Sequence, residues 1–327
     1  MQLSYGALSA FLDHFSFRSN LPESKKMPHH LPTEPISPAR RRKREMKRGE
    51  SEILKTSAEQ ARPLIVCGMG RSGTRMCANI LSNSRDVEMQ GEIGGPAGSR
   101  MMAWLEANYP QRSEADPYRI YRLARATFRE GSAGRPQDRP RALWFGYKSP
   151  RHERYFHRYE RLFEDPARRP RYVYCLRNPF HVWRSYRAMP WNKFKDVRAF
   201  LQAWNRSVGT WETMRRQAPD RVSLFNLDSM IRSPDRLEWL TPVLLEPLNL
   251  SPEMFRRPVE ALRNSNSAAN KVGAEPQELP PADMAAIAAD PDAAAAVRAY
   301  FPWLEEDLER LQTEHRAGRR LFGFLRG

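Results

Sequence analysis

RPLIVCGMGRSGTRMCANIL, Arg62 to Leu81, decides the fold. Pro63 to Cys67 is an unbroken apolar run bounded by glycine, as a parallel strand buried on both faces requires. Gly68, Gly70 and Gly73 then punctuate a loop, and from Thr74 the chain reads as a helix. Strand, glycine loop and helix together make an anion cradle. The glycines let the backbone come close, successive N–H groups turn inward, and the helix N-terminus adds roughly half a positive charge. Phosphate and sulfate meet these terms equally well.

On the N-terminal side, Arg18 to about Ala61 is rich in Pro, Ser, Lys and Arg and includes the run Arg40-Arg41-Arg42-Lys43-Arg44. Residues 1–60 therefore read as a disordered basic tail, and the run at 40–44 as a solvated linker. Downstream, Ala142–Tyr147, Arg171–Leu176 and Val222–Leu227 read as further strands, separated by helical stretches such as Asp196–Gln217. This alternation predicts an α/β fold, a three-layer sandwich with a central parallel sheet, over a domain at 61–315. Ser251–Glu278 is polar and reads as a long loop or lid, Pro281–Tyr300 as an Ala-rich helical region, and 316–327 as a basic C-terminal tail.

Composition narrows the classes. With 327 residues, 40% hydrophobic content and eight Trp, the chain buries a real core, which excludes disorder throughout. Its 54 Lys and Arg against 38 Asp and Glu give a net charge of +16 and predict anionic partners: nucleotides, acidic glycans, nucleic acid or a membrane surface. Cys67, Cys77 and Cys175 lie in apolar runs and read as reduced, packed thiols. With no CxxC pair and scattered His, no metal site is expected. No apolar run approaches the roughly 18–20 residues of a membrane span, and no basic segment precedes the apolar positions near the start, so the expectation is a cytoplasmic protein.

The glycine loop has a competing reading, the P-loop of a kinase or NTPase, G-x-x-x-x-G-K-[ST]. Gly68 and Gly73 keep that spacing, but Thr74 stands where the Lys belongs and Arg75 where the Ser or Thr belongs. The ammonium that bridges the phosphates and the magnesium ligand are both missing, which disfavours a triphosphate with Mg²⁺.

RSGT at Arg71–Thr74, after its hydrophobic strand, resembles instead the 5′-phosphosulfate loop of the sulfotransferases that use 3′-phosphoadenosine-5′-phosphosulfate (PAPS). The resemblance implies a P-loop NTPase-like sulfotransferase fold, with Gly70, Arg71, Ser72, Gly73 and Thr74 around the 5′-phosphate. A second stretch, RYVYCLRNPFHVWRSYRAM at Arg171–Met189, resembles the 3′-phosphate motif of the family, with Arg177 at a strand end and Ser185 eight residues on in a helix. Both would converge on one phosphate. A third match, Ser265 and Lys271 in RNSNSAANKV, resembles the late loop that closes over the donor phosphates in the tyrosylprotein and related branches.

Sulfuryl transfer needs an in-line nucleophile, stabilised equatorial oxygens and positive charge at the leaving group, and fixed cations and amides suffice without metal. Glu92, in MQGEIGG, resembles the catalytic Glu of the tyrosylprotein and several carbohydrate sulfotransferases, which implies a general base. His152, Glu153 and His181 are the other candidate bases, although His181 reads better as a helix cap. Lys148 ends an apolar strand in WFGYKSPRHE and resembles the family's lysine in a Lys-x-Pro setting, which contacts the bridging oxygen and the sulfuryl group. Arg71 joins Glu92 and Lys148 in the catalytic set.

The resemblance spans about Arg62 to Val272 and implies PAPS as donor, PAP as product and no metal. The Arg-rich surface favours an acidic or polar glycan, a glycolipid or a peptide over a small neutral phenol, with a carbohydrate or glycolipid hydroxyl as the expected acceptor. It predicts no specific nucleic-acid partner, and the basic tails predict peripheral contact with anionic membrane. Two rivals stand beside it: a nucleotide kinase or NTPase with a degenerate loop, and a non-enzymatic polyanion binder using the tail.

Overall fold

A computed structural model describes residues 61–93, 95–108, 118–132, 137, 139, 141–258 and 278–324, with 95, 96 and 315–324 as backbone alone. All of them lie within the unit Gly49–Gly327. The expected tail at 1–60 and the late-loop residues Ser265 and Lys271 lie outside the described residues.

Five strands, β1 Arg62–Gly68, β2 Val87–Gln90, β3 Trp144–Lys148, β4 Arg171–Leu176 and β5 Val222–Asn226, form one parallel sheet in the order β2-β3-β1-β4-β5. The helices that concern the site are α1 Thr74–Asn83, α2 Gly95–Asn108, α3 Arg119–Gly131, α4 Phe156–Leu162, α5 Pro179–Arg187, α6 Val197–Gln217, α7 Leu227–Arg232, α8 Pro281–Ala289, α9 Pro291–Tyr300 and α10 Glu305–Phe324.

The unbroken apolar run of β1 is explained by burial on both faces. Leu64 and Val66 join Cys77, Ile80 and Leu81 of α1 and Leu240, Leu244 and Leu245 in one core. Ile65 and Cys67 point the other way, into an aromatic core with Tyr147, Tyr174, Phe128 of α3 and Trp204 of α6. Helices thus cover both faces of the sheet, the expected three-layer α/β sandwich. Each fully buried side chain of this size contributes about 2–3 kcal/mol of transfer free energy. The three thiols are free and buried, and burial pushes those of Cys67 and Cys175 well above the ordinary thiol range.

The sequence reading has four of the five strands and lacks β2. VEMQ is short, and its Glu88 and Gln90 are buried, the reverse of the polar-out pattern. A buried carboxylate is tolerable only when paired. Glu88 Oε2 accepts from Arg125 Nη2 at 2.5 Å and from the Arg139 N–H at 3.1 Å. The Ala-rich region is two helices, because Asp290 caps α9 through the Ala293 N–H at 2.9 Å and Pro291 opens it. Arg316 lies inside α10, which runs unbroken from Glu305 to Phe324. Among the described residues no helix is long and apolar enough to cross a membrane.

From β1 the chain leaves toward the β2 edge, and from its neighbour β4 toward β5. The two connections diverge, which opens a crevice at the carboxyl ends of the strands.

Candidate functional site

Gly68 is clamped where the loop begins. Its N–H donates to Glu153 Oε2 at 2.9 Å, and its carbonyl accepts from the Arg151 N–H at 2.8 Å. Its φ of 122° suits glycine alone, and a Cβ there would strike the Cys175 carbonyl. At Gly70 an added Cβ would collide with the Tyr186 hydroxyl. Arg71 and Arg151 both hold the left-handed backbone region, at φ 69° and 65°, although neither is glycine. Such strain gathers at functional sites.

The helix that follows, α1, has Gly73 at its cap position, φ 94°, with no side chain to cap it. Its first-turn N–H groups therefore face the crevice uncapped, which suits an anion. Ser72 is buried within this turn. Its N–H donates to the Met69 carbonyl at 3.2 Å, and its hydroxyl is buried without a partner among the described residues.

Arg177 leaves the end of β4 and meets Asp228 in the first turn of α7, just after β5, Nε to Oδ1 3.5 Å. Asp228 Oδ2 also accepts from the Asn178 N–H and Nδ2, both at 2.8 Å, while Oδ1 faces His181 Nδ1 at 3.0 Å. Burial pushes the Asp228 carboxyl up, but the His181 and Asn178 hydrogen bonds and the charges of His181 and Arg177 outweigh it and leave it below the ordinary range. His181 is not the cap of α5. Asn178 is, accepting from the His181 N–H at 2.9 Å.

Ser185 does not pair with Arg177. Its hydroxyl accepts from Arg71 Nε at 2.8 Å, so the two expected phosphate motifs interlock directly. Burial lowers the pKa of both guanidiniums, and Arg177 lowers that of Arg71 further. Two desolvated cations this close form a cradle for a multiply charged anion.

Glu92 follows β2 and Lys148 ends β3, and the two side chains are in direct ion contact, Lys148 partly buried and Glu92 half exposed. The rival bases point elsewhere. His152 is 1% exposed, its Nδ1 2.6 Å from the Tyr147 hydroxyl. Burial and then the Arg154 charge push its imidazole down to about 3. Glu153 is a buried strut between Gly68 and Ser207 Oγ, the latter at 2.6 Å.

Three residues here escaped the sequence reading: Asp228, Arg151 and Tyr186. The Tyr186 hydroxyl, fixed against Gly70, takes a hydrogen bond from Arg151. Burial raises its pKa, while Arg151 and Arg71 lower it and Glu92 raises it, which places all three nearby. Only Arg151 carried a signal, as the basic residue after the Lys-x-Pro triplet. On the Asn178 side, a cavity of about 1060 Å³ opens between Phe180 and His181 of α5, Met284 of α8 and Leu311 of α10.

The model of the Sulfotransferase family matches residues 63–236, more than half of the chain. No curated protein matches it in sequence. Among solved structures, the sulfotransferase STF9 from Mycobacterium avium is similar at 14% identity, with 65% of this chain and 70% of that one covered and a TM-score of 0.35. The sulfotransferase domain of a Synechococcus olefin synthase is 17% identical, over 68% and 86%, with a TM-score of 0.39. Mouse sulfotransferase SULT7A1 complexed with PAP is 14% identical, over 84% and 94%, with a TM-score of 0.38. At these scores the likenesses add nothing to the family match.

Proposed function

Because this chain belongs to the sulfotransferase family, we propose that it transfers the sulfuryl group of PAPS to a hydroxyl of a carbohydrate or glycolipid, with Glu92 as general base. The donor supplies an activated sulfuryl group on a phosphate leaving group. Arg71 and the uncapped turn at Gly73 and Thr74 hold its 5′-phosphate, close behind Gly70. Arg177, oriented by Asp228, holds the 3′-phosphate, and Ser185, which accepts from Arg71, adds its hydroxyl to that phosphate. Ser265 and Lys271 are assigned to the same phosphates.

Glu92 takes the proton of the acceptor hydroxyl as its oxygen bonds to sulfur and the sulfur–phosphate oxygen bond breaks. Lys148, in contact with Glu92, sets its positive charge where the bridging oxygen gains negative charge. A hydroxyl entering between them reaches base and cation together. The Glu92 segment supports a place near the tyrosylprotein and carbohydrate branches, and the basic tails support peripheral contact of a cytoplasmic enzyme with anionic membrane.

The observation that carries this reading is Arg71, desolvated and bonded to Ser185 of the second motif, with the equally desolvated Arg177 held by Asp228, behind a loop whose sequence lacks the Lys and the magnesium ligand of an NTPase. The test is a thermal shift. PAP at 100 times its Kd should stabilise the protein by about 2.7 kcal/mol, with EDTA present. A larger shift from Mg-ATP than from PAP would favour the kinase reading.

A further inference from the structure

The turn that links α5 to α6, residues 188–196, carries an arrangement the donor site does not use. Trp191 is 52% exposed although it is one of the largest apolar side chains in the protein. A T-shaped contact anchors its ring to Tyr186, with centroids 6.0 Å apart. Phe194 packs on Tyr186 at 4.9 Å and lies beneath the Arg151 guanidinium at 5.1 Å. The turn is held in shape by Asn192, whose Oδ1 accepts from the Phe194 N–H at 3.0 Å and whose own N–H donates to the Met189 carbonyl at 3.1 Å.

Exposure alternates along it: Trp191, Lys193 and Lys195 are exposed, while Asn192 and Phe194 are half buried. An indole and two ammoniums therefore share the outer side, beside the exposed Arg151, and the one acid of the turn, Asp196, is engaged as the cap of α6 through the Ala199 N–H at 2.8 Å. Tyr186 joins this surface to the reaction centre, since the ring that anchors Trp191 and Phe194 has its hydroxyl against Gly70. The large cavity beside α8 and α10 is lined by none of these residues.

We propose that Trp191, Lys193 and Arg151 form the acceptor subsite and that it selects a saccharide bearing a carboxylate. An open indole presents a flat apolar face, which complements the C–H face of a sugar ring and leaves the ring's hydroxyls in water. The flanking cations pair with the acid group, and the guanidinium does so in bidentate fashion. A neutral phenol would need an enclosed apolar pocket, whereas Trp191 is open. This assignment rests on the sulfotransferase reading, and it adds the class of acceptor and the residues that choose it.

Binding measured by calorimetry, with no donor present, tests it independently of sulfuryl transfer. The probes are a hexuronate-containing oligosaccharide, the same oligosaccharide with its carboxyl groups reduced to alcohols, and an acidic tyrosine peptide. The wild type should bind the carboxylated oligosaccharide at least tenfold more tightly than either of the others. Trp191→Ala should weaken that binding about tenfold, in line with the loss of one aromatic contact, and Trp191→Phe should restore most of it. Arg151→Lys and Lys193→Ala, which spare the fold, should each shrink the preference for the carboxylated probe. Tighter binding of the peptide, or equal binding of the two oligosaccharides, overturns the proposal, as does a Trp191→Ala variant with wild-type affinity. A protein that binds the carboxylated probe in this way but is not stabilised by PAP would instead sink the donor reading.

Discussion

Glu92 and Lys148 touch although 56 residues separate them, because β2 and β3 are neighbours and both end at the same edge of the sheet. Removing the carboxylate while keeping its shape isolates the base. Glu92→Gln should leave the PAP-induced thermal shift intact and lower turnover by about 10²–10⁴-fold; unchanged turnover would remove Glu92 from the role. His152, four residues past that lysine, makes a different prediction. Its imidazole is neutral in the fold, with its pKa pushed down to about 3 from an ordinary 6.5. The unfolded chain therefore binds the extra proton first. Stability is complete above pH 6.5 or so and falls with pH from there toward 3, by up to about 1.4 kcal/mol per pH unit. Urea unfolding of His152→Gln between pH 7 and 4 should show that slope flattened.

At the scale of elements, the loop and α5 are fitted to one another with no spare volume. Gly70→Ala should force the Tyr186 hydroxyl aside, cost about 1–3 kcal/mol as overpacking does, and weaken PAP binding. Tyr186→Phe removes the colliding atom, so the double variant should recover part of the loss, and PAP affinities across the double-mutant cycle read the coupling. This contact also shows where the sequence stops being legible. Gly70 announces itself as a glycine in a loop, but nothing in RSYR says that Tyr186 is the reason it must be one. The same holds for β2, whose Glu88 is buried only because Arg125 and Arg139 arrive from elsewhere. Strand periodicity reports solvent, and a buried ion pair inverts it.

On the scale of the whole molecule, the net charge of +16 belongs to the entire chain, whereas the family match begins at residue 63. A chain lacking residues 1–60 should keep its PAP-induced thermal shift and lose part of its salt-sensitive affinity for generic polyanions. Loss of both would favour the non-enzymatic reading. Local chemistry was written in the chain: the β1 run, the glycine loop, Arg177 at a strand end and the missing P-loop lysine each depend on neighbours in sequence, so the α/β class and the anion cradle follow from order alone. Only the tertiary structure decided that Arg71 binds Ser185, that Asp228 holds Arg177, that Arg151 braces Gly68, and that Tyr186 sits against Gly70. Those pairings join residues from different strands and helices, and they exist only once the parallel sheet gathers its carboxyl ends along one edge.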